Sequence, residues 1–395
     1  MKTTVATEPH EFLLVSGGPL FQLYRRTHLS GDSLEWLRRR VLVITLLAWL
    51  PLLLLSVFDG HALGGSFKIP FLYDIEAHVR FLIALPVLIA AEVIVNQRIA
   101  HSVRQFVERR IVISEDVPRF NAAVESALRG RNSAAVEGTL LLFVYTLGIW
   151  IWRNQIVIKE PTWYAVPEAG RLHLSLAGYW CAFVSIPVFQ FILLRWYLRL
   201  VLWFRLLWRI SKLNLHLSAA HPDRAGGLGF LGESAYAFGP ILFAQGAILA
   251  GIIANRVLHG GKDLLSFKME AAGVVCFFIV AIFAPLLIFT PLLSSAKRKA
   301  YAEYGLLANR YLFGFEDKWI AGVPETSALL GAKDLQSLAD LGNSYAMVRE
   351  MRIVPFGLEN VTRLAIATAA PLLPLVLTMF SIRQVADFLI KVAFR

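Results

Sequence analysis

Two carboxylates interrupt long apolar runs of the sequence, where an isolated charge is costly. Glu92 and Glu137 each lie about one or two helical turns from the end of a run that could cross a membrane. Such a carboxylate is either neutralised by a nearby cation, here Arg98 or Arg131, or faces water and binds a cation or a proton. The sequence leaves both interpretations open, and the second makes Glu92 and Glu137 candidates for an ion pathway.

Two uncharged polar residues, Gln245 and Asn255, lie in a later apolar run. Side-chain amides inside membrane helices commonly form hydrogen bonds to a neighbouring helix, and they can also line a polar path. The hypothesis of a channel or transporter therefore assigns the lining of an ion or solute pathway to Glu92, Glu137, Gln245 and Asn255.

A glycine-rich loop, residues 221–233, carries the most conspicuous local motif. Gly227, Gly229 and Gly232 match the G-x-G-x-x-G pattern of dinucleotide-binding folds. That pattern binds a pyrophosphate when it lies between a strand and a helix, whereas a basic helix precedes this loop and an apolar run follows it. The motif therefore gives no support for a nucleotide, and no cofactor is predicted.

The same loop admits two other interpretations. Exposed amides at the start of a helix beside a cation can hold an anion or a lipid headgroup, and the candidate residues are His221, Asp223, Arg224, Gly226, Gly227 and Gly229. The alternative is a plain structural turn, in which Asp223 accepts backbone hydrogen bonds and Arg224 meets headgroups. His216, His221 and Asp223 also offer metal-type donors, but three donors in one segment are weak evidence and no metal is predicted.

Long apolar runs must position all of these residues. They lie at 41–58, 79–95, 134–152, 174–194, 234–255, 271–293 and 364–382. A helix needs about 20 apolar residues to cross a hydrocarbon core of about 30 Å, and only helices or closed barrels satisfy the backbone in lipid. Because the runs lack the alternation of barrel strands, the sequence predicts an all-α, polytopic transmembrane bundle of about seven spans.

The placement of charge predicts the orientation of this bundle. The chain has 39 Lys and Arg against 28 Asp and Glu, and its 17% of charged residues is below the share of soluble proteins. Most cations fall in the N-terminal segment and in 97–135, 195–233 and 295–363, which are therefore expected in the cytoplasm. The N-terminus is then inside and the C-terminus outside. Anionic lipid headgroups are the expected partners, and no nucleic-acid surface is needed to explain the charge.

These signals divide the chain into parts. They are a cytoplasmic N-terminal segment at 1–40, a six-helix membrane region at 41–294 with loops 97–135 and 195–233, a cytoplasmic helical segment at 295–363, and a seventh span with a short tail at 364–395. Five cations after the fourth run lie on one side of a helix, which we interpret as a headgroup anchor or, alternatively, as a ligand-gated switch. They are Arg195, Arg199, Arg205, Arg209 and Lys212.

The expected cytoplasmic segments carry helix signals of their own. The acidic stretch 114–116 followed by Pro118 predicts a helix start. The helix of the sixth run is expected to continue past the membrane, and helical patterning covers 327–341 and 343–351.

Two stretches carry a resemblance to known membrane proteins. The string His221-Pro-Asp-Arg-Ala-Gly-Gly-Leu-Gly-Phe-Leu and the segment 335–350, together with the Pro-Leu-Leu-Pro of the last run, resemble an uncharacterised family of bacterial polytopic inner-membrane proteins. The resemblance covers roughly the C-terminal half, implies a bacterial inner membrane and brings no activity. The architecture is also similar to insect odorant receptor channels, which join subunits through cytoplasmic helix extensions, although the Thr-Tyr to Gln-Phe signature of their last helix is missing.

The sequence contains no nucleophile elbow, P-loop or paired-cysteine metal motif, so nothing argues for an enzyme. Three hypotheses remain. The preferred one is a channel or transporter for ions or small solutes, for which the cytoplasmic extensions offer a surface for homo-oligomer assembly. The others are a signalling or assembly scaffold, and a lipid- or anion-binding membrane protein or enzyme.

Overall fold

The computed structural model describes residues 34–64, 69–151, 162–168, 171–321 and 333–376, which are almost entirely helical. This confirms the predicted all-α class. A short antiparallel hairpin, β1 (Ala165–Glu168) and β2 (Arg171–Leu174), is the exception. The described helices are α1 (Leu34–Phe58), α2 (Ile75–Glu108), α3 (Val117–Arg131), α4 (Ala134–Gly148), α5 (Leu176–Ile210), α6 (Phe230–Leu258), α7 (Leu264–Ala321), α8 (Lys333–Glu350) and α9 (Leu358–Ala369).

Five of the described helices, α1, α2, α5, α6 and α7, are long and apolar enough to cross a membrane. The helix α4 is apolar but shorter. These lengths and compositions are those of an integral, multi-pass membrane protein. The count of seven spans and the orientation stay predictions, since residue 152 and residues 377–382, where the third and seventh runs end, lie outside the described residues.

Proline alters two spans without ending them. In α2 a wider π-helical turn at Val79–Ala84 comes just before Pro86, and in α5 a similar turn at Cys181–Ser185 comes just before Pro187. Proline has no backbone N–H, and its ring clashes with the carbonyl group of the preceding turn. The wider turn relieves this clash, and the helix then continues.

The helix α6 is held closely between α2 and α9. A Cβ atom added at Gly246 would overlap the carbonyl oxygen of Thr368 in α9, and one added at Gly251 would press on the backbone of Glu76 in α2. Small residues allow helices to approach closely, which is a main source of helix association in lipid. The glycines of α6 therefore allow α2, α6 and α9 to pack closely against one another.

Beyond the apolar stretches, α3 packs on α5, and α7 and α8 form a hairpin. The turn Ser114–Asp116 leads into α3, as its sequence predicts. The helix α7 continues far past residue 294, and α8 packs antiparallel on it, with Tyr311 donating a hydrogen bond to the Asp334 carbonyl oxygen at 3.0 Å. The two patterned stretches around 327–351 give one helix over their described part.

The predicted boundaries at 294 and 363 fall inside α7 and α9. Both helices extend beyond their apolar runs, and in α7 residues with good helix propensity, such as Ala, Lys, Arg and Glu, continue the backbone hydrogen bonding. Apolar composition marks where a span crosses lipid but does not mark where its helix begins or ends.

Candidate functional site

The two carboxylates of the spans belong to one buried cluster of ions. Glu92 accepts a hydrogen bond from Arg199 at 2.7 Å and lies 2.7 Å from Arg40 Nη2. Arg195 lies between the carboxylates, with Nη1 3.8 Å from Glu92 and Nε 3.5 Å from Glu137. All five residues are buried. The cluster therefore joins α1, α2, α4 and α5, and Arg195 links the two carboxylates directly.

This cluster corrects two expectations. Glu92 pairs with arginines from other helices and not with its sequence neighbour Arg98. Arg195 and Arg199, expected to meet headgroups, are buried with 6% and 3% of their surfaces exposed. They are four residues apart and so lie on one face of α5, and that face meets the carboxylates. Of the same group of cations, Arg205 and Lys212 are exposed.

The two amide residues of α6 form hydrogen bonds to other elements. Gln245 Nε2 donates to the Tyr197 hydroxyl at 3.0 Å. Asn255 Nδ2 donates to Asp74 Oδ1 at 2.8 Å, and its Oδ1 accepts from the backbone of Ile75 at 3.0 Å. This is the usual role of amides between membrane helices. Gln245 and Asn255 make these contacts outside the Glu92–Glu137 cluster, and a pathway role for the four residues stays a prediction.

Asp74 is a buried residue that the sequence analysis did not single out. Its Oδ1 also accepts from the backbone of Ala77 at 3.0 Å, and its Oδ2 accepts from Trp163 Nε1 at 2.8 Å. The carboxylate thereby caps the start of α2 and ties it to α6 and to the segment before β1. An Asp directly before a helix is the sequence signal that could have found it.

Asp223 organises the glycine-rich loop. Its carboxylate accepts hydrogen bonds from the backbone of Ala225 at 2.8 Å, Gly227 at 3.1 Å and Gly229 at 2.8 Å. Burial alone would raise the pKa of Asp223, but these three bonds and the nearby His221 outweigh it and hold the pKa below its ordinary value. The hydrogen bonds expected of a structural turn are confirmed. The amides of Gly227 and Gly229 are therefore already engaged by a carboxylate of the chain itself.

The loop holds the connection between α8 and α9. Arg352 donates from its backbone to the Arg224 carbonyl oxygen at 2.7 Å and from its side chain to the Asp223 carbonyl oxygen at 3.0 Å. Arg224, expected to meet headgroups, forms an ion pair with Glu350 at 3.2 Å. A Cβ atom at Gly226 would lie 3.0 Å from both Leu293 and Met351. The glycine-rich loop and the segment that follows α8 are thus in direct contact, and we call this contact the joint.

A polar cavity of about 470 Å³ lies next to the joint, between α2, α6 and α9. Sequence analysis missed it because its lining comes from three segments far apart in the chain. Guanidinium, imidazole, amide and carboxylate groups all take part. The charged and amide side chains of its lining are Arg98, His101, Gln105, Glu233, Glu359, Asn360 and Arg363.

Hydrogen bonds hold one wall of this cavity in place. Asn360 donates to the Tyr236 hydroxyl at 2.9 Å and accepts from the backbone of Gly357 at 2.7 Å. On the opposite wall Gln105 is buried, and its Nε2 lies 2.6 Å from a ring nitrogen of His101. Within the described part of the chain, Gln105 Oε1 has no hydrogen-bond partner. Such an unsatisfied buried polar atom costs about 1–3 kcal/mol, so Gln105 is kept at the cavity wall at the expense of stability.

The described residues hold no group of three or more His, Cys, Asp or Glu that could bind a metal ion. Three features of the described residues bear on function: five helices that could span a membrane, a buried ion cluster and a polar cavity at the joint. No protein-family model, no curated protein and no solved structure matches the chain.

Proposed function

We propose that the chain is a seven-span protein of a bacterial inner membrane, with its N-terminus inside, that binds a small polar solute in the cavity between α2, α6 and α9 and conducts or transports it. The cavity is the observation that carries this proposal. Its volume falls within the roughly 300–1,000 Å³ of small-molecule sites. Two of its three walls are formed by α2 and α6, helices that are long enough to span the membrane.

The position of the cavity fits an entrance on the cytoplasmic side. Its α2 wall begins at Arg98, beyond the apolar part of that helix, and the next segment is rich in Arg. The positive-inside rule assigns such a segment to the cytoplasm. Both signs of charge line the cavity, with Arg98 and Arg363 against Glu233 and Glu359, which favours a solute that carries both charges or several hydrogen-bonding groups.

A flux measurement tests this proposal. Purified protein in liposomes should pass potassium, sodium or chloride under an imposed voltage, or take up labelled glutamine as a zwitterionic probe. The variant Gln105→Leu replaces the buried amide with an apolar group of similar size and should lower the flux at least tenfold, or about 1.4 kcal/mol. Flux that does not exceed that of empty liposomes for all four probes would refute it.

The matched control is Gln336→Leu on α8. Gln336 is exposed, and its amide donates only to Asp340 of the same helix at 3.0 Å. We expect this variant to keep the flux of the unmodified protein. An equal loss in both variants would show that the effect does not come from the cavity.

A second candidate function, an assembly scaffold, rests on the α7–α8 hairpin. Leu306, Phe313 and Ile320 are 60%, 66% and 71% exposed and lie seven residues apart, so they form a stripe on α7. Exposed apolar stripes of this kind commonly bind another protein or a second copy. Cross-linking in native membranes tests the idea, and a protein recovered only as an uncross-linked monomer would count against it.

A further inference from the structure

A second cavity, of about 310 Å³, lies against the glycine-rich loop. Arg109 lines it from the turn after α2, His216 and Ser218 line it from the segment after α5, and His221 and Gly226 line it from the loop itself. Its lining contains a guanidinium and two imidazoles but no carboxylate. In this it differs from the solute cavity, where cations and carboxylates are mixed.

The backbone brings the two basic segments together. After α2 the chain turns at Arg110, which has a left-handed φ of 54°. The carbonyl oxygen of Ile111 then accepts a hydrogen bond from the backbone of His216 at 2.7 Å, and Val112 pairs with Leu215 as an antiparallel bridge. The side chains of Arg109 and His216 are therefore placed at one cavity by backbone pairing between segments about a hundred residues apart in sequence.

Among the described residues, no carboxylate lines this cavity. The nearest one in the loop, Asp223, is engaged by three backbone amides and lies 2.9 Å from His221 Nδ1. Within the described residues, Arg109 forms no ion pair, and its guanidinium lies 5.3 Å from the centre of the Phe230 ring. The Arg109 guanidinium thus lies at the cavity beside imidazole and hydroxyl groups, with no carboxylate in the described lining.

We propose that this cavity binds a phosphate group, carried by a lipid headgroup or by a soluble phosphate ester. Guanidinium groups bind phosphate oxygens with paired, charge-assisted hydrogen bonds, and imidazole N–H groups and the Ser218 hydroxyl are further donors. The cavity is larger than a phosphate ion, which leaves room for the glycerol or sugar to which the phosphate is attached. The ligand lies beside the loop amides and not on them, because Asp223 already occupies those amides.

Two arms of one experiment identify the source of the phosphate. In the first, inorganic phosphate is titrated into detergent-purified protein at constant ionic strength, and the thermal unfolding midpoint is followed. In the second, native mass spectrometry counts the phosphatidic acid molecules retained from a mixture with phosphatidylcholine. A response to phosphate alone indicates a soluble ester, and selective retention of phosphatidic acid indicates a headgroup. The absence of both overturns the proposal.

Variants of the polar lining residues locate the site. Arg109→Gln and His216→Gln should each weaken binding at least tenfold, a change of about 1.4 kcal/mol. His216→Gln is the less disruptive of the two substitutions, because the His216 side chain is exposed whereas the Arg109 guanidinium also packs over the Phe230 ring. The control is Lys212→Gln, which removes an exposed charge of the same segment from outside the cavity. Equal losses in the control and in both variants would refute the site. Gln105→Leu should leave phosphate binding intact, so this proposal can fail or stand independently of solute transport.

Discussion

The ion cluster around Glu92 and the cavity between α2, α6 and α9 use the same kinds of side chain but arrange them differently. In the cluster, the carboxylates lie within ion-pair distance of the arginines, and all five residues are buried. Around the cavity, Arg98 and Glu233 are spread over the walls of an open volume. Buried charges of opposite sign in contact hold helices together, whereas charges around a volume are free to bind a ligand. The contrast separates a structural role from a binding role.

The largest expected effect comes from breaking the cluster. Glu92→Gln removes the charge that faces Arg40 and Arg199 and leaves buried guanidinium groups without compensation. Removing one partner of a buried ion pair costs about 3–5 kcal/mol. We expect a free energy of unfolding lower by that amount, measured by denaturant titration in detergent micelles.

Glu303→Gln is the matched control for this variant. Glu303 also pairs with a cation, Lys299, but one turn away on the same exposed face of α7, where such a pair contributes about 0.3–0.5 kcal/mol. The structural role assigned to Glu92 would be wrong if the Glu92→Gln variant kept the stability of the unmodified protein but lost solute flux. That result would assign Glu92 to the pathway that the sequence first suggested.

The sequence predicted those features of the fold and of the candidate site that depend on local composition. Runs of apolar residues indicated helices of membrane-spanning length, five of which lie in the described residues, and Asp223 beside glycines indicated a turn whose backbone hydrogen bonds the structure shows. It could not indicate that Arg195 and Arg199 turn inward, because this depends on a carboxylate about a hundred residues away. The cavity was missed for the same reason. Gln105 looks like any polar residue of a charged helix until α6 and α9 are placed around it.

An intermediate effect is expected at the joint. Asp223→Ala removes a carboxylate that accepts three backbone hydrogen bonds, each with a net contribution of about 0.5–1.5 kcal/mol, but water can replace part of them. We expect the free energy of opening the joint to fall by about 2 kcal/mol. This change corresponds to roughly thirtyfold faster amide hydrogen exchange in residues 221–233. Asp340→Ala, an exposed change on α8, should leave this exchange unchanged.

The same carboxylate gives the joint a dependence on pH. Because folding lowers the pKa of Asp223, its contribution to stability is fully present above the unfolded pKa of about 4 and is lost as the pH falls through the folded value. Exchange in the loop should therefore be constant from pH 7 to about 5, after correction for the intrinsic rate, and rise in more acid solution. A rise that persists in Asp223→Ala would have to come from another group.

The smallest effect is expected for an ion pair at the surface of the joint. Arg224 and Glu350 are 62% and 54% exposed, so water screens their attraction at 3.2 Å. Such pairs contribute about 0.2–1 kcal/mol. A double-mutant cycle of Arg224→Gln and Glu350→Gln, measured by unfolding in detergent, should give a coupling free energy in that range that decreases as salt is added. A coupling free energy above about 2 kcal/mol would mean that this exposed pair stabilises the protein as strongly as a buried ion pair. In that case the exposure of a charged side chain would not distinguish a structural role from a binding role.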